Sequence, residues 1–233
     1  MSKRYKIVFL IRFLGYIIFF TGLISFAAVL GPLAQAEVGY RWDKFRGIKR
    51  TIPKIITSTA DNGQNGQAAG QPVGTFGEVT TNTNIITPVS TDFGIVIEKI
   101  NANAKVVADV DPGNEREYVR ALQEGVAHAY GTNYPGEKGN IYLFSHSTDA
   151  PWDIIRYNAI FYLLRELEPN DRVIIFYKNR RYDYLVFDKK IVQPDDVQYL
   201  TAKYDNEVLT LQTCDPPGTL LHRLVVRAKL EGS

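Results

Sequence analysis

Hydrophobic and polar positions follow three regimes along this chain. From Phe13 to Leu33 the run FLGYIIFFTGLISFAAVLGPL carries no charge, and a helix needs about 20 residues to cross a hydrocarbon core. Lys3, Arg4, Lys6 and Arg12 precede it, and no polar face interrupts it, so it reads as a membrane span and not as a core helix. Leu33-Ala34-Gln35-Ala36 has the small residues of a cleavage site, but the run exceeds a usual signal core, which favours retention. Trp42, Phe45, Ile48, Ile52 and Ile55 then recur near helical spacing among Arg41, Lys44, Arg46, Lys49, Arg50 and Lys54. That is the pattern of a basic amphipathic segment on a lipid surface, or of an ordinary solvated stretch. These charges compete with the leading cluster, so the positive-inside rule leaves the orientation undecided.

From about Thr57 to Ser90 the chain is rich in Gly, Gln, Asn and Thr and nearly free of charge and large apolar residues. Such a stretch buries too little surface to offset chain entropy and is expected to be a flexible linker. The organisation expected is a basic tail (1–12), an anchor (13–33), a juxtamembrane basic segment and linker (34–90), and a folded domain (91–233).

Short runs of alternating or β-branched residues dominate that domain. Ile95–Ile100 and Lys105–Val110 are expected strands around a turn at 101–103. Asn114 and Glu117 have capping-box spacing for a short helix whose apolar face is Tyr118, Leu122 and Val126, weakened at Gly125. A turn-rich loop over 131–140 feeds the strand 141–144, and a helical stretch is expected around 159–167. Strands follow at 172–177, 182–187, 207–213 and 224–230. Many short strands with few helices predict a mainly β domain, a barrel or a sandwich.

The 233 residues allow one sizeable domain plus appendages, and a net charge of +2 argues against nucleic acid as the main partner. Cys214 is the only cysteine. It closes the apolar strand Leu209–Cys214 just before the loop Asp215-Pro216-Pro217-Gly218, so its sulfur lies at a strand tip. It is an inert core residue, an intermolecular bridge or a reactive nucleophile, and the strand tip favours the last. His146 ends another strand. On the last strand Leu224, Val226, Ala228 and Leu230 alternate onto one face, while Arg223, Val225 and Arg227 share the other. Arg223 lies nearest the loop and is suited to hold a developing oxyanion over the sulfur, with Arg227 in reserve.

Thr210-Leu211-Gln212-Thr213-Cys214, followed by Arg223-Leu224-Val225-Val226, resembles the cysteine and arginine signature of the sortase family of cysteine transpeptidases. Gly125-Val126-Ala127-His128, Gly131-Thr132, Pro135-Gly136-Glu137 and Gly139-Asn140 resemble the lead-in to that family's catalytic histidine. Phe144-Ser145-His146-Ser147 resembles the histidine motif, with Ser145 where a glycine often stands. The likeness spans about Ile95 to Leu230, and the anchor and linker also fit a sortase layout.

The resemblance implies a closed eight-stranded sortase-type β-barrel with Cys214 as nucleophile, His146 as general acid/base and Arg223 on the oxyanion. It implies thiolate attack on a carbonyl within a C-terminal sorting signal of surface proteins and a thioester acyl-enzyme. An amine from cell-wall peptide or a pilin lysine then resolves it, on the extracytoplasmic side of the cell membrane. With ordinary pKa values near 8.5 and 6.5, thiolate and imidazolium coexist at neutral pH in only about 1% of independent molecules. Thr213 and Asp149 are expected to contact substrate, and His128 either to do so or, as the favoured alternative, to make structural hydrogen bonds; Asp149 or Asp153 is a candidate to orient His146. Neither a cofactor nor a metal-ligand cluster is expected, although scattered acids leave calcium open. The lid of pilin-polymerising sortases has no counterpart before Ile95, since Ala150-Pro151-Trp152 follows the histidine. Two other classes fit the residues: a tethered barrel that only binds wall or surface polymers, and a cysteine hydrolase without transfer.

Overall fold

The computed structural model describes residues 3–48, 50–52, 86–146, 160–217 and 219–232. Most of the expected linker, together with Asp149 and Asp153, lies outside the described residues. The first helix, α1 (Lys3–Arg46), runs unbroken through both the apolar run and the start of the basic segment. Its window Val8–Ala28 has a mean hydropathy of 2.0, is nowhere buried within the protein, and is long and apolar enough to cross a membrane. That window begins before the expected Phe13 and takes in Arg12.

Eight strands follow: β1 (Phe93–Ile97), β2 (Ala102–Val110), β3 (Val126–Ala129), β4 (Gly139–Phe144), β5 (Arg172–Tyr177), β6 (Arg180–Val192), β7 (Glu207–Asp215) and β8 (His222–Leu230). They close into a barrel in the order β1-β2-β3-β4-β7-β8-β6-β5, so the barrel is the expected one and not a sandwich. β2–β3 and β4–β7 are parallel and the other neighbours antiparallel. A parallel pair needs a crossover, and α2 (Glu115–Glu124) supplies it between β2 and β3.

Alternate residues fill the interior: Ile95 and Ile97, Ile141 and Leu143, Val173 and Ile175, Tyr184 and Val186, Leu209 and Leu211, and Leu224, Val226 and Ala228. The outer wall is also covered in places. Ala121 and Leu122 of α2 pack on Val110 and Ala127, and Tyr199 of α3 (Gln198–Thr201) packs on Ala129, Tyr142 and Val225. Burial on both faces explains why β4 and β7 look like apolar runs with little alternation.

Several local expectations are corrected. α2 stops at Glu124, and Val126 opens a strand instead of extending the helix face. Asn114 makes no side-chain cap; Glu117 reaches back to the Asp111 amide at 3.0 Å and the Asn114 side chain at 3.4 Å. β1 ends at Ile97, and Glu98–Ile100 form a 3-10 turn. The described end of the stretch expected to be helical holds a single 3-10 turn, Leu164–Glu166. At the entry to β4, Gly139 has φ +129°, and a Cβ there would collide with Asn133 Oδ1. That amide oxygen accepts from the Asn140 N–H at 3.2 Å.

Candidate active site

Cys214 and Arg223 are direct partners across the antiparallel β7–β8 pair. On β7 the odd positions Leu209, Leu211 and Thr213 are buried in the wall, so Thr210, Gln212 and Cys214 face outward. Arg223, Val225 and Arg227 lie opposite them on the same outer side. β4 runs parallel on the other flank, with Tyr142 beside Thr210 and Phe144 beside Gln212. The ladder continues one residue past the strand, because the Ser145 amide donates to Gln212 O at 3.1 Å. His146 lies two residues past the end of β4, the strand that flanks β7 on this side. Thiol and guanidinium thus share one outer row across β7 and β8, His146 follows just past the end of the neighbouring β4, and all three residues are half-buried.

Thr213 ties this row together from behind. Its hydroxyl donates to Ser145 O at 2.9 Å, and it is buried. It therefore fastens the backbone before the histidine to the backbone before the cysteine and does not face a substrate on the outer wall. His128, also expected to contact substrate, is fully buried on β3. Its Nε2 lies 3.0 Å from Thr132 Oγ1 and 3.1 Å from Asn133 O, and the Asp109 amide donates to Nδ1 at 3.4 Å. It packs among Phe93 and Tyr134 inside the barrel and does not join the row.

The two arginines separate clearly. Arg227 donates to Asp188 at 2.6 and 3.0 Å and to the Tyr204 hydroxyl at 3.1 Å. Burial works against its charge, but those partners raise its pKa overall. Arg223 instead donates to the carbonyls of His222 at 3.2 Å and Leu220 at 3.4 Å. It is near enough to Tyr142 to oppose the upward shift that burial imposes on the phenol.

Below the row runs a polar floor that the sequence did not single out. The Tyr142 hydroxyl donates to Gln212 Oε1. Thr210 Oγ1 donates to Asn140 Oδ1 at 2.7 Å, while Asn140 Nδ2 donates to the carbonyls of Tyr199 and Leu200 at 2.9 and 3.2 Å. The β6–β7 connection is thereby pinned beside the row. The available signal was polar residues at alternate positions (140, 142; 210, 212) of otherwise apolar strands. Among the described residues no group of three or more His, Cys, Asp or Glu is arranged to hold a metal ion. A cleft of about 750 Å³ lies elsewhere, between the end of α1 and the Glu98–Ile100 turn, and includes none of the three residues.

A closed barrel that sets a thiol across from a guanidinium, with an imidazole just past the end of the next strand, holds the residue types that cysteine-dependent acyl transfer uses. A sortase-domain family model matches residues 95–231, from β1 to just beyond β8, and the chain belongs to the sortase family. Sortase D of Bacillus subtilis is 30% identical over 120 residues, 52% of this chain and 52% of that protein, so the chain spans about half of that relative. Among solved structures, a lid mutant of sortase A from Corynebacterium diphtheriae is similar at 25% identity and a TM-score of 0.51, covering 62% of this chain and 72% of that one. Sortase C-1 from Actinomyces oris is similar at 27% identity and a TM-score of 0.50, covering 60% and 73%. These relatives carry the letters A, C and D, so the likeness assigns the family and the fold and no class within it.

Proposed function

We propose that this protein is a membrane-anchored cysteine transpeptidase acting on a C-terminal sorting signal of surface proteins. The observation that supports the reading is that Cys214 faces Arg223 across β7–β8, while His146 follows at the end of β4, the strand paired with β7 on its other side. The Cys214 thiolate attacks a backbone carbonyl of the sorting signal. Arg223 holds the oxygen as it gains charge, for which a fixed cation in a partly dry site is well suited. The tetrahedral adduct collapses to a thioester as His146 protonates the departing amine. An incoming amine, from cell-wall peptide or a pilin lysine, loses its proton to His146, attacks the thioester and leaves with a new amide bond. The substrate lies along the outer wall over Tyr142, Gln212 and Val225, with Tyr199 and Leu200 as one bank. Val8–Ala28 spans the cell membrane and the barrel stands on its extracytoplasmic side.

Mass spectrometry of the full chain with a panel of sorting-signal peptides tests this reading. A covalent adduct on Cys214 is expected, converted to an amide product when an amine acceptor is supplied. Recovery of only a free carboxylate with acceptor in excess would make the protein a hydrolase. No adduct with any peptide, and a thiol that reacts only after unfolding, would make it a binding module.

A further inference from the structure

The chain that leaves α1 returns to the barrel and is held there at several points. Ile52 is buried among Ile86, Val96, Ile174 and Phe176. Its amide donates to Glu98 Oε1 at 2.7 Å, and its carbonyl accepts from Arg181 Nη1 at 3.2 Å. Asp183 braces that arginine through contacts of 2.8 and 2.9 Å. One residue earlier, Thr51 O accepts from the Ile86 amide at 3.2 Å. Nearer the helix, Tyr40 of α1 packs on the main core, Asp43 pairs with Arg50 at 2.8 Å, and Glu37 lies 3.9 Å from Arg165.

These contacts have the make-up of a built site. Both backbone polar groups of Ile52 and its side chain are matched by separate barrel groups, whereas a chain merely passing by would leave its amide and carbonyl to water. The apolar socket lies on the outer faces of β1 and β5, because Ile95, Ile97, Val173 and Ile175 point inward. Around the closed barrel β1 stands opposite β7. The socket therefore occupies the wall facing away from Cys214. The Ile86 amide and the Thr51 carbonyl therefore meet at the same spot on the barrel.

We propose that the outer wall of β1 and β5, together with Glu98 and Arg181, is a docking site for the Thr51–Ile52 strap. The docked strap fixes how the catalytic row faces the membrane. The spacing between anchor and barrel is then set by the clamp and does not depend on the number of residues between Ile52 and Ile86. This rests on reading α1 as a membrane span. The reach of Cys214 above the lipid becomes a fixed property of the fold, so a sorting signal must present its scissile peptide at one height.

Energy transfer in the full chain, inserted in phosphatidylcholine vesicles, tests the clamp. A donor is placed on Lys229→Cys in a Cys214→Ala background, and the acceptor is a headgroup-labelled lipid. Three lengths are compared: native, residues 55–83 replaced by a short Gly-Asn turn, and the same stretch duplicated. Transfer efficiency is expected to be the same for all three, and to vary with length once Ile52→Asp or Glu98→Leu opens the clamp. Length dependence in the chain with the native clamp overturns the proposal. Flotation of the same samples separates the two readings, since failure to float refutes the span and leaves the clamp readable by hydrogen exchange in solution. There the Ile86 amide is expected to exchange at least about 100-fold slower than in an unstructured peptide, and to lose most of that protection in Ile52→Asp. An unprotected Ile86 amide in the native sequence overturns the docking.

Discussion

Arg223 and Arg227 share a strand face and differ in what surrounds them. Arg227 is committed to Asp188 and Tyr204, whereas Arg223 donates to the carbonyls of Leu220 and His222 and lies directly across from Cys214. Arg223→Lys is therefore expected to cut acylation by at least about 100-fold, since a point charge cannot reproduce a forked donor and one such donor is worth that much. Arg227→Lys is expected to lower stability and leave acylation within a few-fold. Adduct formation monitored by mass spectrometry compares the two, and the reverse ranking would mean that the wrong arginine has been assigned. Cys214→Ala is expected to abolish the adduct. His128 carries a different prediction. Burial holds its imidazole below the usual value, against the opposing pull of the Asn133 carbonyl and the Asp109 and Glu137 carboxylates. The unfolded chain takes up this proton near pH 6.5 and the folded one only at lower pH. The contribution of His128 to stability is therefore complete above about pH 6.5 and is lost as the pH falls toward its folded value. Urea midpoints measured across that window should fall less steeply for His128→Gln than for the native chain.

β4, β7 and β8 carry the proposed site side by side, and the Thr213 hydroxyl ties the chain just past β4 to β7. Thr213→Val keeps shape and burial but deletes the bond to Ser145 O. Loss of one such bond is expected to cost about 1 kcal/mol of stability. Acylation should slow about tenfold because the histidine is less well placed. A purely structural role would leave the pH profile of acylation unmoved, so a shifted profile identifies positioning. The end of β7 at Cys214 and Asp215 and the alternation on β8 were legible because strand ends follow loop signals and core residues follow a period of two. Other elements were not. Val126 falls four residues after Leu122, as a helix face requires, yet Gly125 packs where a Cβ would strike Lys105 O, and the chain turns there into β3. β6 runs to 13 residues through Asp188-Lys189-Lys190, a charged stretch that no hydrophobic period marks. Its pairing comes from β8, far along the chain. The site's polar floor escaped notice because Asn140 and Gln212 gain meaning only when β4 and β7 lie side by side.

At the scale of the whole molecule, the barrel and the apolar helix were both foreseen, while the return of the strap to the back wall was not, since five scattered side chains make that socket. If Val8–Ala28 spans the membrane with the barrel outside, protease added to intact cells should remove the barrel and leave a fragment containing α1 in the membrane. Protection of the barrel until the cells are lysed would refute the orientation. The register of the catalytic row has one more consequence. Successive strand residues point to opposite sides of the wall, so one residue added inside β4 or β7 would turn the imidazole or the sulfur into the greasy interior and expose a leucine instead. Length changes in these two strands are compatible with chemistry only in even steps, and variation among descendants of this sequence should be confined to the connections between strands.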